Sequence, residues 1–402
     1  MSKKGNLFSR VTWVAYVIYL FSIVVFGDRE EYFMISNLVF VVLILLMGID
    51  IILSRRFKIP LAFFSFLPFT LFCYISSSWS YDVSGTLIRS ETVLRLIIMM
   101  VIMCIYLYKT GRTLNYIYGF AVAGVLVLFY VLSFYGLTGL RIALSEKVRI
   151  GTEIVNANTL AIFFAVSDII FLQQYISTKN RITIIPIIAF TTIIALTGSK
   201  KGFIDIVVGA LLTLILADLG KTLTQRVRKW IVRVVLVVII FTIVWRLPVF
   251  DLVRERINSM FMVLGGASFK YDYSTWERQM MITAGLKQFL MTPILGIGIG
   301  ASGYITNQIV MYSTYLHNNY VELLATSGIV GTLLYYLPVL RIAIKNWNFR
   351  KDSSASTLSF ILIVIVLIND FGSVQYFSKI TYVLFSLAIS SICIGSETQE
   401  TA

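Results

Sequence analysis

The sequence predicts an all-α polytopic membrane protein, a bundle of about twelve transmembrane helices with one long extracytoplasmic loop. Three observations carry that expectation. Hydrophobic residues fill 58% of the 402 positions and charged residues 13%, with a mean hydropathy of +0.86, whereas a soluble domain is nearer half apolar and a quarter charged. Apolar runs close to spanning length recur along the chain, and lysine and arginine divide unevenly among the connections between them. The same composition excludes a soluble globular enzyme. Six prolines exclude a disordered tail protein, and three cysteines, Cys73, Cys104 and Cys393, all inside apolar runs, exclude a disulfide scaffold.

A membrane-crossing helix needs about 20 mostly apolar residues. Spans are expected near 11–27, 33–53, 59–79, 93–108, 114–136, 157–176, 182–197, 203–219, 231–247, 321–343, 358–371 and 379–395. The first run lacks a small-residue cleavage site before Gly27 and the polar Asp28-Arg29-Glu30-Glu31, so it reads as a retained span and not a signal peptide.

Orientation follows from the short connections. With the N-terminus inside, the inner segments carry Lys3, Lys4, Arg10, Arg55, Arg56, Lys58, Lys109, Arg112, Lys179, Arg181, Lys221, Arg226, Arg228, Lys229, Arg341, Lys345, Arg350 and Lys351. The short outer connections carry only Arg29, Arg89, Arg141, Lys147, Arg149, Lys200, Lys201 and Lys379. Both termini are therefore expected inside, and much of the formal charge of +14 is a topology signal. Nucleic acid is not an expected partner.

One connection is long. Residues 248–320 form an outer segment large enough for a small folded cap, and loops of that length without a role are uncommon. Its basic Arg254, Arg256, Lys270, Arg278 and Lys287 nearly balance Asp251, Glu255, Asp272 and Glu277. Any anion site here must rest on individual arginines. From Trp276 to Met291, Arg278, Ile282, Leu286 and Phe289 recur at helical spacing, predicting an amphipathic helix along the membrane surface or over the bundle. Pro293 and Gly296-Ile297-Gly298-Ile299-Gly300 stop it. The glycine run follows a helix and lacks a Walker lysine, so a tight re-entry toward the membrane is expected and not a phosphate cradle.

The sequence holds one histidine, His317, at the outer boundary of the tenth span. Asn318, Asn319 and Glu322 put polar groups within about a turn of it. Gly328 and Gly331 would permit a close helix approach. Glu322 is costly to leave in lipid without a partner.

These residues, HNNYVELLATSGIVG, resemble the His-x10-Gly motif of the O-antigen ligase and polymerase family of membrane glycosyltransferases. Three further segments are similar in order: Arg149-Ile150-Gly151-Thr152 with Asn156-Ala157-Asn158-Thr159-Leu160-Ala161; Thr197-Gly198-Ser199-Lys200-Lys201-Gly202; and Trp276-Glu277-Arg278 leading to Pro293-Ile294-Leu295-Gly296-Ile297-Gly298. The resemblance covers roughly residues 149–331. It implies a GT-C-like bundle in the bacterial cytoplasmic membrane, with the active site on the outer face. It implies metal-independent transfer, without a cofactor, from a sugar chain on undecaprenyl diphosphate. The implied partners are a lipid-linked donor and acceptor and the bilayer, with a chain-length regulator and a flippase as candidates.

Under that resemblance the residue types make chemical sense. Departure of a lipid diphosphate builds negative charge, which a planar guanidinium suits. Arg278 is the first candidate for that task. Lys200 stands where the family usually shows Ser-Arg and so lacks the bidentate fork. Arg149 is third, with loop anchoring at the headgroup layer as its plain alternative. Arg254 and Arg256 are substitutes, unless they simply pair with Asp251 and Glu255 along one helix. Asn158 joins these as a substrate contact. His317 is the candidate base for an attacking sugar hydroxyl, since imidazole alone titrates near neutrality unperturbed. Glu322 either orients His317 or bonds a polar group within the bundle; a spacing of five does not put the two on one helical face.

Two other classes fit part of the pattern. Asp28-Arg29-Glu30-Glu31 in the first outer loop could hold Mg2+ or Mn2+ in a metal-dependent glycosyltransferase. A lipid-linked oligosaccharide flippase would also need about a dozen helices, but neither an internal repeat nor paired broken helices are visible. Within the family, polymerase and ligase share a donor and differ in acceptor: another lipid-linked unit for the first, a lipid A core sugar or protein for the second. Polymerase is favoured because nothing in the chain marks an outer-membrane lipid acceptor site.

Overall fold

The computed structural model describes residues 3–27, 30–53, 59–217, 227–235, 242, 245–265 and 272–400. Asp28, Arg29, Arg55, Arg56, Lys58, Lys221, Arg226 and Lys270 lie outside the described residues. Among the described residues every regular element is helical.

In chain order these are α1 (Lys3–Val25), α2 (Phe33–Ile52), α3 (Leu67–Ile75), α4 (Val83–Thr110), α5 (Thr113–Ser145), α6 (Ala157–Thr178), α7 (Ile184–Thr197), α8 (Lys200–Leu216) and α9 (227–235). They continue with α10 (Asp251–Leu264), α11 (Tyr273–Met291), α12 (Ser302–Val310), α13 (Asn319–Phe349), α14 (Ser354–Asn369) and α15 (Lys379–Glu400). Their ends follow from local chemistry. The Asp82 carboxylate accepts the Gly85 amide and starts α4, which stops at Gly111 in the left-handed region (φ 63°). Asn156, Ser199 and Asp272 cap α6, α8 and α11 in the same manner.

Seven segments are long and apolar enough to cross a membrane, and three shorter apolar helices, Arg181–Thr197, Ser354–Asn369 and Lys379–Cys393, accompany them. Large aliphatic side chains such as Leu38, Leu45, Leu71 and Ile185 lie exposed on helix surfaces, as lipid contact requires. The chain is an integral membrane protein of many spans.

Six of the twelve expected spans coincide with helices to within five residues at either end. The fourth is longer, because α4 starts ten residues before 93, and its first four turns carry Arg89, Glu91 and Arg95, which hydropathy discounts. The third, 59–79, is three helical pieces instead of one: Leu61–Phe64, Leu67–Ile75 and Ser76–Ser78. Of 231–247, only 231–235, 242 and 245–247 are described. The fifth ends where α5 breaks, at Gly136 with φ 59° and ψ −179°.

The chain forms two compact units: one of Met1–Leu53, Arg112–Asn258 and Arg350–Leu362, the other of Ser54–Gly111, Ser259–Phe349 and Ile363–Ala402. In the first, α6 packs on α7 and α8, and a Cβ on Gly202 would come within 2.6 Å of Ala161 Cβ. Close approach through small residues is the usual way for helices to associate in lipid. In the second, α4 packs on α15 and α3, and Phe66 stacks on Phe385 with ring centres 5.0 Å apart.

Candidate functional site

In the second unit, the two motifs around Pro293 and His317 close on each other. Helix α13 is broken at Gly328 (φ 61°, ψ −166°), a backbone region open essentially to glycine alone. The turn after α11 fills the break. Ile297 and Gly298 donate their amides to the carbonyls of Ala325 and Thr326 over 3.3 and 2.9 Å, while Ile329 and Val330 donate to Pro293 and Ile294 over 2.8 and 3.2 Å. Polar groups freed by a helix break inside a membrane must be satisfied by protein, and here the glycine-rich turn does so. Gly296 lies so close to α13 that a Cβ on it would stand 2.5 Å from the Ser327 amide nitrogen. The expected re-entry is thus a plug in a helix. Gly331 provides the close approach, toward Phe72 on α3.

His317 precedes α13 with φ 57°, left-handed for a residue that carries a side chain. Both sides of it are fixed. The buried Glu322 carboxylate accepts the Leu316 amide over 2.8 Å, and Ser302 bonds the same carboxylate. Glu322 therefore holds the backbone beside His317, and its partners are groups within the unit. Asn318 Oδ1 accepts the Val321 amide at 3.1 Å, and Asn318 Nδ2 donates to the Phe371 carbonyl at 3.2 Å. The half-buried imidazole lies against Tyr315, ring centres 4.4 Å apart.

Arg278 is half-buried on α11 and makes no ion pair among the described residues. The expected face of this helix needs correction. Met281 and Gly285 form its buried side, while Leu286 is 42% exposed. A Cβ on Gly285 would stand 2.6 Å from Leu316 Cδ1 and 2.7 Å from Val321 Cγ1. The missing side chain draws the helix onto the segment flanking His317, and Arg278, two turns before Gly285, shares that side. Close by, Tyr312 donates to Glu277 at 2.9 Å, and its hydroxyl is pushed above the ordinary phenol range, first by burial and then by that carboxylate.

A buried polar cluster missed by the sequence reading anchors the same region. Tyr336 and Asn319 donate to Asp370 Oδ2 over 2.8 and 3.3 Å, and the Asp370 carbonyl accepts the Asn319 amide over 2.7 Å. Asn319 Oδ1 takes the amides of Gln375 and Tyr376 at 2.9 and 3.1 Å. The available signal was Asn369-Asp370, an acid closing an apolar run, where an unpaired charge is expensive. Arg89 was missed too, having been read only as a loop charge; its guanidinium carbon lies 3.6 Å from the centre of the Phe377 ring.

The first unit gathers the other motifs. Arg149 Nε donates to the Thr197 carbonyl at 2.8 Å, and a second guanidinium nitrogen reaches Asn158 Oδ1 at 3.3 Å. Asn158 Oδ1 also accepts the Ser199 hydroxyl at 3.0 Å. Arg149 thus ties its loop to the Thr197–Gly202 turn through the Thr197 carbonyl and Asn158. Lys200 opens α8, and the Arg256 stem lies beside Gly198, whose added Cβ would be 3.3 Å from Arg256 Cδ. Arg254 pairs with Asp251 and donates to the Trp245 carbonyl, as the pairing alternative expects. Glu255 pairs with Lys147 of another loop instead, and that hydrogen bond raises the lysine's pKa.

Residues 185–336 match the family model described as O-antigen ligase. That stretch is similar to the O-antigen ligase family. It contains Lys200, Arg254, Arg256, Arg278, His317, Glu322 and the plugged break at Gly328; Arg149 and Asn158 precede it. No curated protein matches the chain. Of the acidic run in the rival metal assignment, only Glu30 and Glu31 are described, and among the described residues no group of three or more His, Cys, Asp or Glu could hold a metal.

Proposed function

We propose that this protein polymerises lipid-linked oligosaccharide repeat units at the outer face of the bacterial cytoplasmic membrane, by glycosyl transfer from undecaprenyl diphosphate without a metal. The observation that carries the proposal is the backbone of His317. A left-handed residue with a side chain costs on the order of 1–3 kcal/mol, and here the side-chain oxygens of Glu322, Asn318 and Asn319 accept backbone amides that hold the chain on either side of it. Fixing one histidine in this manner fits a group that must meet a substrate in one orientation.

In the proposed reaction, His317 takes the proton of the acceptor sugar hydroxyl as its oxygen bonds to the donor's anomeric carbon. The bond from that carbon to the diphosphate breaks in the same step. Arg278 receives the negative charge growing on the leaving diphosphate. Glu322 and Asn319 are positioning residues, and Arg149, Asn158, Lys200 and Arg256 are proposed substrate contacts. The O-antigen ligase-family match supports glycosyl transfer of the ligase or polymerase kind.

The test is the glycan profile of a host lacking the gene, rescued with the unchanged protein or His317→Ala at matched membrane levels. Single-repeat glycans in the deletion strain, and no ladder with the variant, are expected. Accumulated long lipid-linked chains in the deletion strain would instead identify a ligase, and an unchanged profile would overturn the transferase assignment.

A further inference from the structure

The second unit contains a cavity of about 700 Å³ that none of the catalytic assignments uses. Its walls come from the start of α4, the glycine turn, α12 and residues 313–315. Three features define what it can hold.

Its charge is balanced: the lining carries one acid, Asp82, and one guanidinium, Arg89. A diphosphate would call for excess cation, as nothing else offsets its charge. The remaining polar groups are hydroxyls and carboxamides, among them Asn307 and Gln308, which donate and accept at once. Such groups match sugar hydroxyls, which do likewise. Finally, Tyr81, Tyr304 and Tyr315 supply aromatic surface, with Tyr81 and Tyr304 edge to face and ring centres 5.2 Å apart. A tyrosine offers an apolar face to the C–H side of a pyranose and a hydroxyl at its rim.

The cavity is held open by the fold. The turn at Gly300 has φ 80°, and a Cβ there would press on Arg89 Cβ at 2.9 Å. Thr306 on α12 accepts the Thr314 amide at 2.9 Å and donates to the Thr314 carbonyl at 3.1 Å, pinning one wall to another. Ser302 in the lining bonds Glu322, and Tyr315 in the lining lies against His317. A molecule in the cavity is therefore separated from the proposed base by the single ring of Tyr315.

We propose that this cavity is a subsite for uncharged sugar units of the glycan, with Tyr304 and Asn307 as binding residues and Arg89 bonding a hydroxyl while braced on Phe377. The proposal rests on the transferase assignment above and extends it to substrate recognition. The occupant is an oligosaccharide whose reacting end lies at His317.

The experiment uses the full chain in detergent micelles. The probe is the free oligosaccharide released by mild acid from lipid-linked material of a host lacking this gene, and binding is followed by calorimetry. Saturable binding is expected, weakened at least tenfold by Tyr304→Ala or Asn307→Ala, both exposed positions whose change should leave the fold intact. Inorganic pyrophosphate should not displace the sugar. Absent binding, unaltered binding by both variants, or displacement by pyrophosphate would each overturn the subsite. An unchanged surface glycan in the deletion strain would overturn the transferase assignment while leaving a sugar site standing.

Discussion

The amide of Ile329 donates to the carbonyl oxygen of Pro293 over 2.8 Å, one residue past the point where α13 leaves helical geometry. That bond and its three neighbours join two motifs about thirty positions apart into one structure.

Gly328 should therefore be intolerant of any side chain. A Cβ there would stand 2.6 Å from the Leu295 amide nitrogen, so main chain would have to move. Gly328→Ala is expected to lose at least about 3 kcal/mol, combining backbone strain with lost hydrogen bonds. Gly285→Ala meets only the ends of Leu316 and Val321 and should lose about 1–3 kcal/mol. Thermal unfolding of both in detergent compares them; equal losses would refute the interlock.

His317→Gly separates the imidazole from its backbone. Glycine accepts φ 57° without cost, so the unfolding midpoint should hold or rise while transfer falls at least about a hundredfold. A Gly variant with wild-type rates would remove His317 from the chemistry.

Arg278→Ala should lower transfer from extracted lipid-linked oligosaccharide by about two to three orders of magnitude, with little change in stability, since it makes no ion pair among the described residues. Lysine there should restore only part of the rate. Arg254→Ala should behave in the opposite sense, costing stability through Asp251 and the Trp245 carbonyl. Reversed outcomes would exchange the roles of the two arginines.

Asp370→Ala should strip Tyr336 and Asn319 of an acceptor in a buried place and destabilise by about 1–3 kcal/mol per orphaned group. Asp370→Asn keeps an oxygen for them and should lose far less. Unfolding midpoints distinguish the two, and a harmless alanine would show that the cluster does not support α13.

The sequence reading went furthest where information is local. Apolar runs gave the helices, and the order of the motifs around Arg149, Lys200, Arg278 and His317 gave the family resemblance. It could not see that Gly328 is a break filled by residues 293–298, because each segment alone looks like an ordinary span or turn. Arg89 escaped for a related reason: its place in a cavity depends on α12 and the glycine turn, more than two hundred residues later in the chain. The face of α11 was misassigned because a glycine, which scores as neither polar nor strongly apolar, sets which side is buried.

The filled break has a consequence for how such chains diverge. Residues 293–298 and 325–330 complete each other's main chain, so neither can be inherited from one parent and the other from a second unless the two backbones agree. A chimera with its crossover between Gly300 and His317 should fail to assemble, whereas one that carries both segments together should tolerate foreign helices around them. The two segments therefore have to travel together.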